Sequence, residues 1–263
     1  MEAEVVMGPV TEQARYLRLR GRGWAMLEGH GLEIGALHEP APIPFGCTRE
    51  FVDAIDRRRA IELFPEIDHR TLIDPDHIRD LDMDGLSGLA DDGYDFVILS
   101  HVLEHVADPL AVLAEVFRVL RADGHAVIAI PDKRYTFDRE RANSVYDELL
   151  AAHERGMQRV EDHRYLDFLN ALYPDLVEQG GTVLSEALSH VRERREHAQV
   201  WDSPCFGRFL QRAMKELGID ASMMYMVSGE LSELEHFSVW RKNGTPSIEA
   251  ADPLGAVINQ EPA

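Results

Sequence analysis

The sequence predicts an α/β fold with a doubly wound, mostly parallel sheet of seven strands. Residues 93 to 100, Gly-Tyr-Asp-Phe-Val-Ile-Leu-Ser, become apolar without alternation, as a strand buried on both faces does. A helical pattern follows, and then a second apolar run from Ala126 to Ile130, which indicates a strand–helix–strand unit with a right-handed crossover. Shorter apolar runs before residue 93 and after residue 220 supply the remaining strands.

The helix of this central unit is predicted over residues 108–121. Asp108 can cap its first turn, and Pro109 suits the first helical position. Gly124 is expected to end the helix, and Pro131 is expected to end the strand that follows. The apolar residues at helical spacing are Leu110, Leu113, Phe117 and Leu120.

Before the central unit, the pattern predicts one helix and three strands. Gly21 and Gly23 interrupt the helical pattern and are candidate break points. Gly35 follows the first strand and lets a ligand approach the backbone at the turn. The elements are a helix over residues 11–28 and strands at residues 31–33, 51–53 and 77–80.

After the central unit comes a long polar stretch, rich in arginine and histidine, from about residue 133 to residue 196. Its pattern predicts helices near residues 144–155 and 163–173. A connection this long inside a compact domain usually has a function of its own, such as covering a site. We therefore expect a helical lid insertion.

The last part of the domain is predicted to be a helix followed by two strands. Ser203 and Pro204 can begin that helix, and Gly218 can end it. The two strands, separated by an acidic turn, are expected to form an antiparallel pair at one edge of the sheet. We expect strands at residues 221–227 and 236–241, a single domain over residues 1–243, and a tail over residues 244–263.

The charge of the chain limits its partners. Its 263 residues carry 47 acidic against 27 basic side chains, a formal net charge of −20. Nucleic acid and anionic membrane surfaces attract positive proteins, so neither is an expected partner. A neutral or cationic small molecule fits this charge better, and a homodimer is an open alternative to a monomer.

The sequence also limits the compartment and the use of cysteine. No basic-then-apolar signal pattern and no apolar run of ~18 residues is present, so a cytoplasmic location is expected. Cys47 and Cys205 lie far apart and in no metal-finger spacing, so neither a disulfide framework nor a zinc site is expected.

Two acids and a glycine indicate a nucleoside site at the ends of the first strands. Glu33 ends the first strand, Gly35 lies in the turn that follows, and Asp53 comes twenty positions after Glu33. An acid at about this distance bonds ribose hydroxyls in nucleotide-binding sheets. Leu37 and Glu39 stand where a full glycine-rich loop would carry more glycines, so the pattern alone also fits a plain strand and turn.

These residues together resemble the class I S-adenosylmethionine-dependent methyltransferases, which have a Rossmann-like fold. The resemblance rests on Leu32-Glu-Ile-Gly35 and on residues 94–106 and 117–124, and it runs from about residue 31 to residue 241. It implies that S-adenosylmethionine is the cofactor. The residues that it places in the cofactor site are Glu33 and Gly35 at the amino acid part, Asp53 at the ribose, Asp80 at the adenine, and Ser100.

The stretch Pro131-Asp-Lys-Arg-Tyr-Thr-Phe-Asp138 is similar to a branch of this family that is often associated with glycan assembly. The similarity implies methylation of a hydroxyl on a small carbohydrate, such as a methylated mannoside in polysaccharide synthesis. A quinone or another natural product is the alternative acceptor. Sugars are often bound by aromatic faces and bidentate donors, and the candidate walls are Arg134, Tyr135, Tyr165 and Trp201. The alternative is that Tyr135 and Trp201 simply pack the lid.

A sugar hydroxyl does not ionise unaided near pH 7, so a base or a metal must help. His101, Glu104 and His105 are spaced i, i+3 and i+4, and a helical turn would place them on one face, where they could hold Mg²⁺. The resemblance permits this, because some quinone O-methyltransferases carry a similar segment with a metal. Otherwise the segment only packs, and His101, His163 or His197 is a plain base.

Two other functions fit part of the pattern. A nicotinamide oxidoreductase could use such a sheet, but the missing GxGxxG loop and the two strands after residue 220 disfavour it. A methyltransferase-like scaffold without turnover is disfavoured by the presence of Glu33, Gly35 and Asp53.

Overall fold

The computed structural model describes residues 12–244, and side chains from residue 18 onward. The predicted tail therefore lies outside the described residues, apart from Gly244. The strands are β1 His30–Ile34, β2 Thr48–Asp53, β3 His77–Ile78, β4 Tyr94–Ser100, β5 Leu120–Pro131, β6 Ala221–Val227 and β7 Glu235–Lys242. They form one sheet in the order β3-β2-β1-β4-β5-β7-β6. The first five strands are parallel, and β7 is antiparallel to β5 and β6, which confirms the predicted fold class.

The described helices flank this sheet. They are α1 Glu12–Trp24, α2 Arg57–Leu63, α3 Pro109–Val119, α4 Tyr146–Glu154, α5 Asp162–Leu172, α6 Pro174–Gln179, α7 Gly181–Arg194, α8 Ser203–Glu216 and α9 Gly229–Ser232, with short 3₁₀ helices at Leu103–His105 and Lys133–Tyr135. Within residues 12–244, no helix is both long enough and apolar enough to cross a membrane.

The central strand β4 is buried on both faces, which explains its unbroken apolar run. Val97 and Leu99 contact the apolar cluster formed with α3 and α8. Phe96 and Ile98 contact a second cluster, which includes Trp24 at the end of α1. The two clusters therefore hold helices against opposite faces of the sheet. Full burial of each large apolar side chain in them contributes about 1.5 to 3 kcal/mol to stability.

Two predicted boundaries are wrong. The first helix is not broken at its glycines: α1 continues to Trp24, and Gly23 serves packing, since a Cβ there would lie 2.4 Å from the Phe237 ring. The central helix ends at Val119 rather than near Gly124. Leu120 already pairs with Tyr94 as part of β5, and Gly124 lies within that strand.

The insertion is helical, as predicted, and contains α4 to α7. It has its own apolar cluster, built around Phe168, Leu169 and Val191. At its end, Arg194 forms an ion pair with Glu66 at 2.6 Å, just beyond α2. The insertion therefore returns to the carboxyl edge of the sheet, whereas opening and closing as a lid stays a prediction.

Candidate active site

A cavity of about 270 Å³ lies at the carboxyl ends of β1, β2 and β4. The order of the strands reverses between β1 and β4, and open α/β sheets bind ligands at this switch point. Gly35, Asp53 and His101 line the cavity from the ends of the three strands. Residues 193–196, from the end of the insertion, line it as well. The cavity therefore occupies the position predicted for the cofactor.

Gly35 and Asp53 are the two predicted cofactor residues in the cavity wall. Gly35 has a φ of +70°, and a Cβ there would lie 2.7 Å from Val102 Cγ2, so no other residue fits this turn without strain. Burial raises the pKa of Asp53, although backbone N–H groups and Arg195 oppose this by stabilising the carboxylate. A carboxylate at this position can accept hydrogen bonds from the ribose hydroxyls of a nucleoside.

Replacing Asp53 with alanine should weaken S-adenosylmethionine binding by about 1.5 to 3 kcal/mol, because a charged hydrogen-bond acceptor is lost. Titration calorimetry measures this change directly. Asp74→Ala is the matched control, since Asp74 is exposed on the loop before β3 and does not line this cavity. If the folded Asp53→Ala protein binds S-adenosylmethionine with unchanged affinity, Asp53 does not contact the cofactor.

The other three predicted cofactor residues lie outside the cavity wall. Glu33 is 3% exposed and forms an ion pair with Arg49 at 2.5 Å. Asp80 forms an ion pair with Arg195, which does line the cavity. The sequence neighbours of Asp80, Arg79 and Leu81, line the cavity as well. Ser100 Oγ accepts a hydrogen bond of 3.3 Å from an arginine of α1. Their contacts with the cofactor stay predictions.

The structure corrects the geometry predicted for His101. This residue has a φ of +57° and precedes the 3₁₀ turn, so it does not share a helical face with Glu104 and His105. Its Nε2 instead lies 2.7 Å from Glu235 Oε2, and its Nδ1 lies 3.6 Å from Glu104 Oε1. Burial disfavours the charged ring, but the two carboxylates outweigh burial and raise the pKa of His101.

The group of possible metal ligands in the structure contains His197 instead of His101. The ligand-type atoms of Glu104, His105 and His197 lie within 4.8 Å of one another. Glu104 is 2% exposed, and neither of its carboxylate oxygens has a hydrogen-bond partner among the described residues. His105 Nε2 lies 3.8 Å from Glu104 Oε1, and the two imidazole centroids are 4.8 Å apart. We call these three residues the Glu104 cluster.

Both histidines of the Glu104 cluster are held through Nδ1. His105 Nδ1 donates to the backbone oxygen of Arg195 at 2.5 Å, and His197 Nδ1 lies 2.6 Å from Asp138 Oδ2. Asp138 is itself buried and also accepts from Arg141. Each imidazole therefore keeps Nε2 free of hydrogen bonds to described residues, and burial, helped by His197, lowers the pKa of His105, which favours its neutral form.

The cluster gives a structural role to the last residue of the stretch from Pro131 to Asp138. Asp138 ends the stretch that begins at Pro131, and its carboxylate positions a histidine 59 residues away. A buried carboxylate that has imidazole nitrogens 3.6 to 3.8 Å away but no hydrogen-bond partner among the described residues is costly unless a proton or a cation joins it. The arrangement can therefore take a proton from an acceptor or hold a metal ion.

The remaining predicted residues lie elsewhere. The His163 side chain is 60% exposed and lines a second cavity, which shares no lining residue with the first. Tyr165 and Trp201 are buried in apolar clusters and are not available as walls of an acceptor site, so that prediction is wrong for both. Tyr135 is 40% exposed, with the guanidinium of Arg134 stacked 5.7 Å from its ring centre.

Several solved structures resemble the chain at low identity. The CurJ carbon methyltransferase is 16% identical over 82% of this chain, with a TM-score of 0.41. A methyltransferase from Aquifex aeolicus is 12% identical, covering 86% of this chain and 92% of its own, with a TM-score of 0.42. CalH, solved with S-adenosylhomocysteine, is 15% identical over 89% of this chain, with a TM-score of 0.40. The chain spans 48% of the CurJ structure and 55% of the CalH structure.

No curated protein matches the chain. A sequence profile described as a methyltransferase domain matches residues 14–218. This match covers most of the chain, including the cavity and the Glu104 cluster. The chain therefore belongs to the methyltransferase-domain family.

Proposed function

We propose that the protein transfers the methyl group of S-adenosylmethionine to a hydroxyl of a small carbohydrate. The Glu104 cluster beside the cofactor cavity carries the hydroxyl part of this proposal, and the similarity of residues 131–138 to a glycan-associated branch supports a carbohydrate. A neutral amine attacks a methyl group through its own lone pair, whereas a hydroxyl must lose its proton. A buried site with a carboxylate and two oriented imidazoles therefore supports an oxygen acceptor over an amine.

Methyl transfer is an in-line displacement, in which the acceptor oxygen bonds to the methyl carbon while the carbon–sulfur bond breaks. The cofactor leaves as S-adenosylhomocysteine, and the hydroxyl proton must go to a base. His105 supports this role, since it lines the cavity and its Nε2 has a free lone pair. The main task of the surrounding residues is then to align the acceptor with the methyl group.

A divalent cation fits the same cluster. The unpartnered oxygens of Glu104 and the free Nε2 atoms of two histidines form a donor set, and Asp138 holds His197 as carboxylates hold histidines in metal sites. Bound there, a cation would lower the pKa of the acceptor hydroxyl. The sequence predicted Mg²⁺, but two imidazoles and one carboxylate suit Mn²⁺, Fe²⁺ or Zn²⁺ better, because Mg²⁺ prefers oxygen ligands.

Exhaustive chelation should lower turnover by more than about tenfold, and added Mn²⁺ should restore it better than Mg²⁺. The assay is initial rate against metal concentration after the chelator has been removed. Full activity after chelation, without a response to any added ion, would exclude the cation and leave His105 as the base.

Two measurements test the proposed reaction itself. Mass spectrometry of small molecules released from the denatured protein should find S-adenosylmethionine or S-adenosylhomocysteine. Incubation with trideuteromethyl-labelled cofactor and a panel of sugars, quinols and amines should then label a carbohydrate oxygen, with methylated mannosides as the first sugars to test. Label found only on nitrogen or carbon would contradict the proposal. Label on a quinol oxygen would show that the acceptor is a quinol instead of a carbohydrate.

Location and assembly remain proposals from the sequence. We place the protein in the cytoplasm, with a homodimer as the alternative to a monomer. Cell fractionation and light scattering during size-exclusion chromatography measure these two properties independently of the reaction.

A further inference from the structure

A second cavity, of about 280 Å³, lies within the insertion, between α4, the turn that follows it and the start of α5. It shares no lining residue with the cofactor cavity. Leu149 and Val160 supply apolar surface on its wall. Ala107 and Gln199 also line it, and the side chain of Gln199 donates to the backbone oxygen of Val106, a residue of the cofactor cavity. The neighbouring residues Val106 and Ala107 therefore line different cavities.

Basic side chains line the second cavity. Arg164 is paired with Glu148 at 2.8 Å, but Arg155 and Arg159 form no ion pair or side-chain hydrogen bond with any residue from 18 to 244. His163 adds another donor and lies 3.9 Å from Glu161, the second acid in the wall. The other arginines of the insertion also pair with carboxylates, namely Arg134, Arg139, Arg141, Arg192, Arg194 and Arg195.

Arg155 and Arg159 are exposed to solvent on the cavity wall, where no carboxylate among residues 18–244 neutralises them. The chain carries 47 acidic and 27 basic side chains, an excess of 20 acids, so carboxylates that could neutralise them are abundant. A guanidinium presents a planar set of donors that matches a carboxylate or phosphate group in two parallel hydrogen bonds. Two such groups around one concave surface leave a local positive charge that an anionic ligand can neutralise.

We propose that the second cavity binds a small molecule that carries a phosphate or carboxylate group. Arg155 and Arg159 contact the anionic group, and His163 donates a further hydrogen bond. The apolar wall, which includes Leu149 and Val160, takes the uncharged body of the molecule. This assignment gives His163 a binding role outside the methyl-transfer site, and it does not depend on which acceptor that site uses.

The test titrates the full chain, saturated with S-adenosylhomocysteine, with phenyl phosphate and with benzoate by calorimetry at constant ionic strength. The double variant Arg155→Gln/Arg159→Gln should bind the better of the two probes at least about tenfold more weakly. The matched control is Arg58→Gln/Arg139→Gln, which removes two charges from arginines whose side chains are 90% and 72% exposed elsewhere. This control should stay within about twofold of the unchanged protein.

The stronger probe identifies the anionic group, and uncharged benzyl alcohol should bind at least about tenfold more weakly than that probe. Equal loss in both double variants would show a general charge effect and overturn the proposal. Failure of both probes to saturate below about 10 mM, or equally tight binding of benzyl alcohol, would also overturn it.

Discussion

Replacing Glu104 with glutamine is expected to lower turnover by about 10²- to 10⁴-fold, with little change in the affinity for S-adenosylmethionine. Glutamine keeps the shape of the side chain but removes the negative charge between His105 and His197. Without that charge, the cluster neither stabilises a protonated imidazole nor supplies a hard ligand to a cation. Cofactor affinity should hold, because Glu104 does not line the cofactor cavity.

The measurement pairs steady-state rates, on the acceptor found by isotope labelling, with calorimetry of the cofactor. Glu140→Gln is the control, since the Glu140 side chain is 81% exposed, pairs with Arg139 and lines neither cavity. Loss of Mn²⁺ binding in Glu104→Gln, followed by electron paramagnetic resonance, separates a ligand role from a purely electrostatic one. Turnover of Glu104→Gln within threefold of the unchanged enzyme would contradict the role that we assign to the cluster.

Replacing Trp201 with alanine is expected to lower the free energy of unfolding by about 3 to 5 kcal/mol. Trp201 is 2% exposed, and its ring centre lies 5.3 Å from that of Phe206 and 5.2 Å from that of Phe209. Truncation removes these contacts and leaves a cavity between the end of the insertion and α8. The sequence offered Trp201 as a wall for a sugar, a role that would affect acceptor binding instead of stability.

Urea denaturation, followed by circular dichroism, measures the change in Trp201→Ala. Tyr173→Ala is the control, because Tyr173 is 53% exposed and its loss should alter the free energy of unfolding by no more than about 0.5 kcal/mol. Trp201→Phe should fall between the two, since it keeps an aromatic ring in the cluster. An unfolding free energy for Trp201→Ala within 1 kcal/mol of the unchanged protein would show that the ring is not part of the core.

The order and type of the sheet elements could be predicted because they depend on local pattern. The unbroken apolar run of β4 reports burial on both faces, and Asp108 caps α3 as expected, accepting from Ala111 N–H at 2.9 Å. The end of α3 could not be predicted, because Leu120 continues the helical spacing of apolar residues. Its pairing with Tyr94 in the sheet decides instead that the helix ends at Val119.

By itself, the sequence determined the doubly wound sheet, the helical insertion, and the place of Gly35 and Asp53 at the carboxyl ends of β1 and β2. Only the tertiary structure decided which histidine joins Glu104. Local spacing favoured His101, but its backbone has a positive φ. Its ring lies against the carboxylate of Glu235, which is 134 residues away in the sequence. His197 arrives from the far end of the insertion, where Asp138 orients it. Periodicity records which face of an element is buried, whereas contacts between polar side chains distant in sequence depend on how the elements pack, and no local pattern encodes that packing.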